Sequence, residues 1–356
     1  TVVIYVDDLL ILSCSQDNLD WLLNVLKSEF PEVSSEQADE ISYLGMMIKR
    51  EKGKYTIAMK HYIEGILEFY GKDVRKCVSP AQADLFDGMQ EGPSAKDQTK
   101  FHATVAKLLY LAKRARPDIL LAVQYLCTKV KKPTKNDERK LERVLGYLKM
   151  TKNRVRQLDD SPVTAVEAYI DAAFGCHVDG KSHSACTIVL GNTPVHEISR
   201  KQRIVTKEST EAELVALSDL VYEADHIHEF MTEQGYELEP PIVYQDNKST
   251  IALVTKGGGK SRTKHMRTRK NLVKEMIDQE EIRVFYIPTK FMLADVLTKP
   301  LQGMHFHELA WTLVGAPKKK RPESVDNRGA LRIRTSSSGS STAPGTNRNY
   351  YAVLQQ

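Results

Sequence analysis

The 356-residue chain has little cysteine, five in all, and only two tryptophans. Cys14, Cys77, Cys127, Cys176 and Cys186 are scattered, odd in number and without Cys-x-x-Cys spacing. That argues against a disulfide-stapled scaffold and a zinc ribbon, and fits a reduced intracellular protein. No apolar run is long enough to span a bilayer and no signal-peptide pattern is present, so no membrane partner is expected. Internal repeats are lacking too. What remains is a charged chain long enough for two or three domains, each with its own core.

The net charge of +5 conceals a segregation of sign. Residues 317–356 carry eight Lys/Arg against two acids, residues 101–157 carry fifteen against four, and everything else is acidic. A basic block beside acidic clusters is what a nucleic-acid enzyme needs, since phosphates are drawn in by the one and processed at the other. Lys131, Lys132, Arg139 and Arg143 are candidate phosphate contacts. A solvated helix face is the plainer reading of the same residues.

Near the start, Val2-Val3-Ile4 and Leu9-Leu10-Ile11-Leu12 read as two buried strands joined by Tyr5-Val6-Asp7-Asp8. Such hairpins normally close on Asn-Gly or Asp-Gly. Two adjacent carboxylates repel, which makes sense if they hold a divalent metal; the alternative is a solvated acidic turn. An amphipathic helix through Leu19, Leu22, Leu23 and Leu26, a strand pair at residues 43–49 and 54–59, and a helix over residues 61–70 follow. Residues 82–98, with Gly88, Gly92 and Pro93, read as a linker. Three helices come next, marked by Val105, Leu108, Leu109 and Ala112, by Ile119, Val123 and Leu126, and by Leu141, Val144, Leu145 and Leu148. Pro117 fits the start of the second.

From Val166 strands alternate with helices, the pattern of an α/β fold. Ala168-Tyr169-Ile170 ends in Asp171, Ile242-Val243-Tyr244 in Asp246, and residues 282–287 precede the short segment bearing Asp295. A helix over residues 210–234 carries Leu214, Leu217, Val221, Ala224, Ile227 and Met231 on one face and Glu213 in its first turn. Ligands bind at the carboxyl ends of strands in such sheets, so Asp171, Glu213, Asp246 and Asp295 can converge from four separate elements. Singly, each acid has a plainer role: Glu211 and Glu213 suit a helix N-terminus, and Asp246 could cap the following helix. Gly257-Gly258-Gly259-Lys260-Ser261 is no P-loop, because Val254 stands where its first glycine would and a helix precedes it; a mobile loop is expected. The serine-rich end of the chain is expected to be disordered.

Tyr5-Val6-Asp7-Asp8 resembles the YxDD signature of reverse transcriptases. The ordered set Tyr43-Leu44-Gly45, residues 105–111 with Arg116-Pro117-Asp118-Ile119, residues 143–149, Asp171-Ala172-Ala173-Phe174-Gly175, residues 209–214, Asp246-Asn247-Lys248-Ser249 and residues 294–301 is similar to the Pol polyproteins of copia/Ty-type LTR retrotransposons. The resemblance runs to about residue 315. It implies an α/β protein: an α+β palm remnant of a reverse transcriptase over 1–80, a linker and helical thumb/connection over 81–160, and a ribonuclease H domain over 161–315 with a mixed sheet flanked by helices. A basic, disordered tail over 316–356 would follow. It further implies two-metal hydrolysis of the RNA strand of RNA/DNA hybrids at Asp171, Glu213, Asp246 and Asp295, with Mg2+, or Mn2+ in its place, and a polymerase metal site at Asp7 and Asp8. Glu213 is preferred to Glu211 because Glu213-Leu214-Val215-Ala216 resembles the family's E-L-x-A stretch.

The implied partners are RNA/DNA hybrid, DNA and RNA, the upstream Pol segments of fingers, palm and integrase, and, as an open option, a second copy of the chain. The implied location is a cytoplasmic virus-like particle, with the nucleus added if residues 317–322 act as the nuclear-localisation signal they resemble rather than as a solvated charge run. Departures matter as well. Polymerase catalysis needs a further palm aspartate and the fingers, which do not precede Thr1 in this sequence, so that site is expected to be incomplete and the chain to be part of a longer polyprotein or a truncated copy. Some ribonucleases H place a histidine just before the last acid; here residues 288–294 hold none, and His265 is the nearest substitute. Cys176, His177, His183 and Cys186 match no common zinc spacing and read as structural. The competing reading is a decayed or domesticated, non-catalytic nucleic-acid-binding fragment.

Overall fold

The computed structural model describes residues 1–30, 32–87, 97–256, 264–316 and 350–355. The glycine-rich 257–261 loop, the glycines of the linker and the 317–322 basic run lie outside the described residues. The chain forms two compact units, Thr1–Ala58 with Gly329–Gln356, and Met59–Arg328.

In the first unit the expected hairpin forms. β1 (Val2–Tyr5) and β2 (Asp8–Ser13) are antiparallel with Tyr5 opposite Asp8, and Val6, at φ 54°, takes the left-handed conformation that glycine or asparagine usually supplies. The strands are not both buried, however. Ile4 keeps 69 % of its surface, because β1 is the sheet edge, whereas α1 (Gln16–Glu29) seals β2 through Leu19 against Ile11. After β3 (Ser34–Glu36), residues 43–49 prove not to be one strand. β4 (Glu40–Tyr43) and β5 (Met46–Glu51) are separated by a turn at Leu44-Gly45, both left-handed, and β6 (Lys54–Ala58) completes the meander. Within the stretch expected to be a disordered tail, Tyr350–Gln355 is a strand lying between β2 and β3 and antiparallel to both. Its Tyr-Tyr-Ala-Val-Leu composition has high β-propensity, and it pairs what would otherwise be an open edge of β2.

The second unit opens with four helices where the periodicity places them: α2 (Lys60–Tyr70), α3 (Gln98–Arg114), α4 (Leu120–Cys127) and α5 (Lys135–Thr151). Pro117 begins a single 3-10 turn leading into α4. Thr134 and Asp137 form a capping box that starts α5. After β7 (Arg156–Asp159) come β8 (Ala165–Ala173), β9 (His183–Leu190), β10 (Thr193–Lys201), α6 (Ser209–Glu233), β11 (Glu239–Gln245), α7 (Lys248–Thr255), α8 (Lys264–Asp278), β12 (Arg283–Tyr286), α9 (Asp295–Thr298) and α10 (Gly303–Leu313). Five strands form one sheet in the order β10-β9-β8-β11-β12, with β9 antiparallel to β8 and β10 and with β11 parallel to β8 and β12. The α/β class and the mixed sheet flanked by helices are therefore as expected. β8 is central, and its Val166, Ala168, Ile170 and Ala172 join Leu214, Leu217 and Val221 of α6 in the core.

The unit boundary falls after Ala58 rather than near residue 80, and no second boundary separates the helices from the sheet. The contacts explain why. Lys152, just past α5, pairs with Glu64 of α2 at 2.7 Å, Lys113 of α3 donates to the Glu197 carbonyl on β10 at 2.7 Å, and Arg156 of β7 pairs with Glu197, both side chains buried.

Candidate metal centre

Ile170 and Ala172 of β8 point into the core under α6, so Asp171 between them faces the other side, toward α9. It lies two residues before the strand ends rather than at its end. Asp246 is the first residue beyond β11. It does not cap α7: Asn247 does, accepting from the Ser249 and Thr250 amides, which leaves the Asp246 carboxylate to accept from Thr289 Oγ1 at 2.8 Å. Asp295 opens α9. Glu213 is the fifth residue of α6, hence one turn deeper than expected; the first-turn acid is Glu211, which accepts from the Lys207 amide at 2.9 Å and so acts at the helix end.

Asp171, Asp246 and Asp295 each present a carboxylate oxygen within 4.8 Å of the other two. Glu213 adjoins them, accepting from Gln245 Nε2 at 3.3 Å. Asp171, Glu213 and Asp295 are at most 5 % exposed. Other buried acids of this unit each have their own partner: Asp118 takes Arg116, Arg154 and Tyr147, Glu197 takes Arg156, and Asp137 closes the capping box. Here four carboxylates share one ammonium, that of Lys299, 2.7 Å from Asp295 Oδ1 and 3.3 Å from Asp171 Oδ1. Thr298 Oγ1 donates to the other Asp171 oxygen.

Burying like charges disfavours their ionised forms. Desolvation, then the Asp171 charge, pushes Asp295 up to about 7, and the same two causes, with Asp246, hold Glu213 well above the usual carboxylate range. Burial raises Asp246 as well, against the opposing hydrogen bond from Thr289. A fold that neutralises its other buried acids one by one but concentrates these makes the cluster a candidate functional centre.

The donor set fits a hard cation. It is all carboxylate, and magnesium takes oxygens at about 2.1 Å in an octahedron, which puts adjacent ligand oxygens about 3 Å and opposite ones about 4.2 Å apart. Oxygens already within 4.8 Å need only a small closure. Among the described residues no other trio of potential ligands meets that spacing, and Asp7 and Asp8, on the hairpin of the first unit, belong to none. His265 is exposed on α8.

His177 and His183 are buried and hydrogen-bonded to each other at 3.1 Å, with His183 Nε2 2.8 Å from Ser199 Oγ, whose hydroxyl donates to the Leu297 carbonyl of α9 at 2.8 Å. Directionality then makes His183 Nε2 and His177 Nε2 the donors. Both rings are neutral, since burial drops them to about 3 and about 4. They brace the element carrying Asp295. Of the candidate phosphate contacts, Lys131, Lys132 and Arg139 are exposed, while Arg143 is half-buried and donates to Ser79 Oγ at 3.0 Å.

Four participants are given no role in the sequence reading: Thr298 and Lys299, which lie in the 294–301 stretch, and Thr289 and Gln245. Lys299 alone carried a signal, standing four residues after Asp295, the spacing of a helical ion pair.

No protein-family model matches the chain. It is 31 % identical over 313 residues to a retrovirus-related Pol polyprotein from transposon RE1 of Arabidopsis thaliana, covering 87 % of this chain and 21 % of the relative. It is 28 % identical to that of transposon TNT 1-94 of Nicotiana tabacum, over 88 % and 24 % of the two chains, and 24 % identical to the Ty1-GR3 Gag-Pol polyprotein of Saccharomyces cerevisiae, over 85 % and 18 %. Among solved structures, RNase H1 of Halobacterium salinarum matches 38 % of this chain and 91 % of its own at 17 % identity, with a TM-score of 0.27, too low to carry weight. Over most of its length the chain is thus homologous to a segment, about one fifth, of the retrovirus-related Pol polyproteins of copia/Ty1 transposons.

Proposed function

We propose that the second unit is a ribonuclease H-type nuclease that hydrolyses the RNA strand of RNA/DNA hybrids, with Asp171, Glu213, Asp246 and Asp295 holding two Mg2+ ions, or Mn2+ in their place. One observation carries the reading: in a unit whose other buried acids are individually paired, these four converge with a single cation among them. The homology to Pol polyproteins supports it.

Bound ions would supply an activated water and stabilisation of the leaving 3′ oxygen. The chain's own groups fix the donors. Thr298 orients Asp171, Thr289 orients Asp246 and Gln245 orients Glu213, so the oxygens are set in place before any ligand arrives. No side-chain nucleophile is required. The first unit, with the Asp7-Asp8 hairpin, we read as the end of a palm whose polymerase site is incomplete.

Replacing Asp246 by Asn keeps the shape and removes one charge. Cleavage of hybrid RNA should be abolished while the circular dichroism spectrum is kept, and Mg2+ should raise the melting temperature of the parent more than that of the variant. Retained cleavage by the variant would overturn the assignment. A parent with neither cleavage nor a Mg2+-dependent melting shift would favour the non-catalytic fragment.

A further inference from the structure

Lys299 is placed by the same turn that supplies the fourth acid. Asp295 opens α9 and Lys299 follows its last residue, so one turn brings the ammonium back onto Asp295 at 2.7 Å. From there it also reaches Asp171 at 3.3 Å. Thr298 and Lys299, adjacent in sequence, thus each take one oxygen of Asp171, the hydroxyl on Oδ2 and the ammonium on Oδ1. Asp171 and Asp295 are also two of the three acids whose oxygens form the trio. The cation in the structure therefore sits on oxygens that a metal would use.

We propose that Lys299 is a built-in counter-ion of the metal centre: it neutralises Asp171 and Asp295 when no metal is bound, competes with the metal for their oxygens, and so sets the Mg2+ concentration at which the site loads. This rests on the nuclease reading above. The geometry suits the role. An ammonium on a four-carbon stem is a compact point charge that can swing away, unlike a bidentate guanidinium. The Lys299 side chain keeps 37 % of its surface accessible, giving it a route out, whereas Thr298 is fully buried and stays on Asp171. Lys299 is a positioning residue in this account, acting on the acids and not on the substrate.

The test is a Mg2+ titration of the full chain, following melting temperature and, separately, hybrid cleavage, for the parent, Lys299→Gln, Lys299→Met and Lys299→Arg. The Gln variant keeps hydrogen-bond donors for Asp171 and Asp295, and so guards against collapse of the Met variant. Both neutral variants should melt lower than the parent in EDTA, and should reach half of their Mg2+-induced melting shift at a Mg2+ concentration at least tenfold lower. The Mg2+ dependence of cleavage should move to lower concentration in step. Lys299→Arg, which keeps the charge on a fork that releases carboxylates less readily, should have a midpoint at or above the parent's and never below it.

A Lys299→Gln midpoint equal to the parent's overturns the proposal while leaving the nuclease reading intact. Loss of cleavage at every Mg2+ concentration with an unmoved midpoint does the same, and would place Lys299 on the substrate instead. If the parent neither cleaves nor shifts with Mg2+, both readings fall together.

Discussion

Asp295 and Gly146 show how much a single position can carry. Burial and then the Asp171 charge push the Asp295 carboxyl from the ordinary carboxylate range near 3.8 up to about 7 in the folded chain. A raised folded value means that its contribution to stability is fully present below about pH 4 and is lost as pH rises through 7. At about 1.4 kcal/mol per unit, the full shift is worth at most about 4 kcal/mol, shared with the acids coupled to it. In EDTA, the melting temperature of the parent relative to Asp295→Asn should therefore fall between pH 4 and pH 7, and Mg2+ should abolish that fall; a flat difference would contradict the buried-acid account. Gly146, in the middle of α5, would normally gain about 1 kcal/mol on replacement by Ala. Here an added Cβ would come within 2.1 Å of the Arg75 carbonyl oxygen. Gly146→Ala should instead destabilise by about 1–3 kcal/mol, read by urea denaturation. Among the proposed ligands, Asp246 and Asp295 stand at the ends of readable elements, whereas Asp171 and Glu213 lie inside theirs and were singled out by the motifs around them. Thr289 and Gln245 were not legible, since a hydrogen bond to a carboxylate leaves no periodic trace.

Elements were legible where apolar periodicity was strong. α2 and α6 fall within one residue of their expected bounds, and α1 spans the four leucines that marked it. β9 and β10 were not foreseen. The stretch between Gly175 and His183 holds polar residues, histidines and the left-handed Gly180, so it reads as loop, and the apolar alternation that follows is short. At this scale the basic block can be divided. Lys131, Lys132 and Arg139 are exposed at and before α5, whereas Arg143 spends a donor on Ser79. Alanine at each of the first three should lower the slope of log affinity for hybrid against log salt by roughly one unit, equally for all sequences. Arg143→Ala should change the slope less. Equal slopes for all four variants and the parent would return the block to a solvated helix face.

At the scale of the whole molecule, the two clusters of acids are unequal. In the second unit three carboxylates close on one another, while Asp7 and Asp8 join no such trio among the described residues. The chain alone should not extend a primer on a template. Magnesium-dependent dNTP incorporation by the purified protein would refute this. The α/β class was legible from the alternation after Val166, but the boundary at Ala58 was not, because α2 belongs by sequence proximity to the strands before it and by packing to the helices after it. α9 is a single turn, and it is tied through the Leu297 carbonyl to Ser199 on β10, the edge strand of its sheet. Without that bond the Leu297 carbonyl loses the Ser199 donor, while α9 keeps its packing on β8 and β9. Local opening of that sheet edge would release the Leu297 carbonyl and loosen the turn that carries Asp295, so the order of the acid cluster is tied to the integrity of an outer strand.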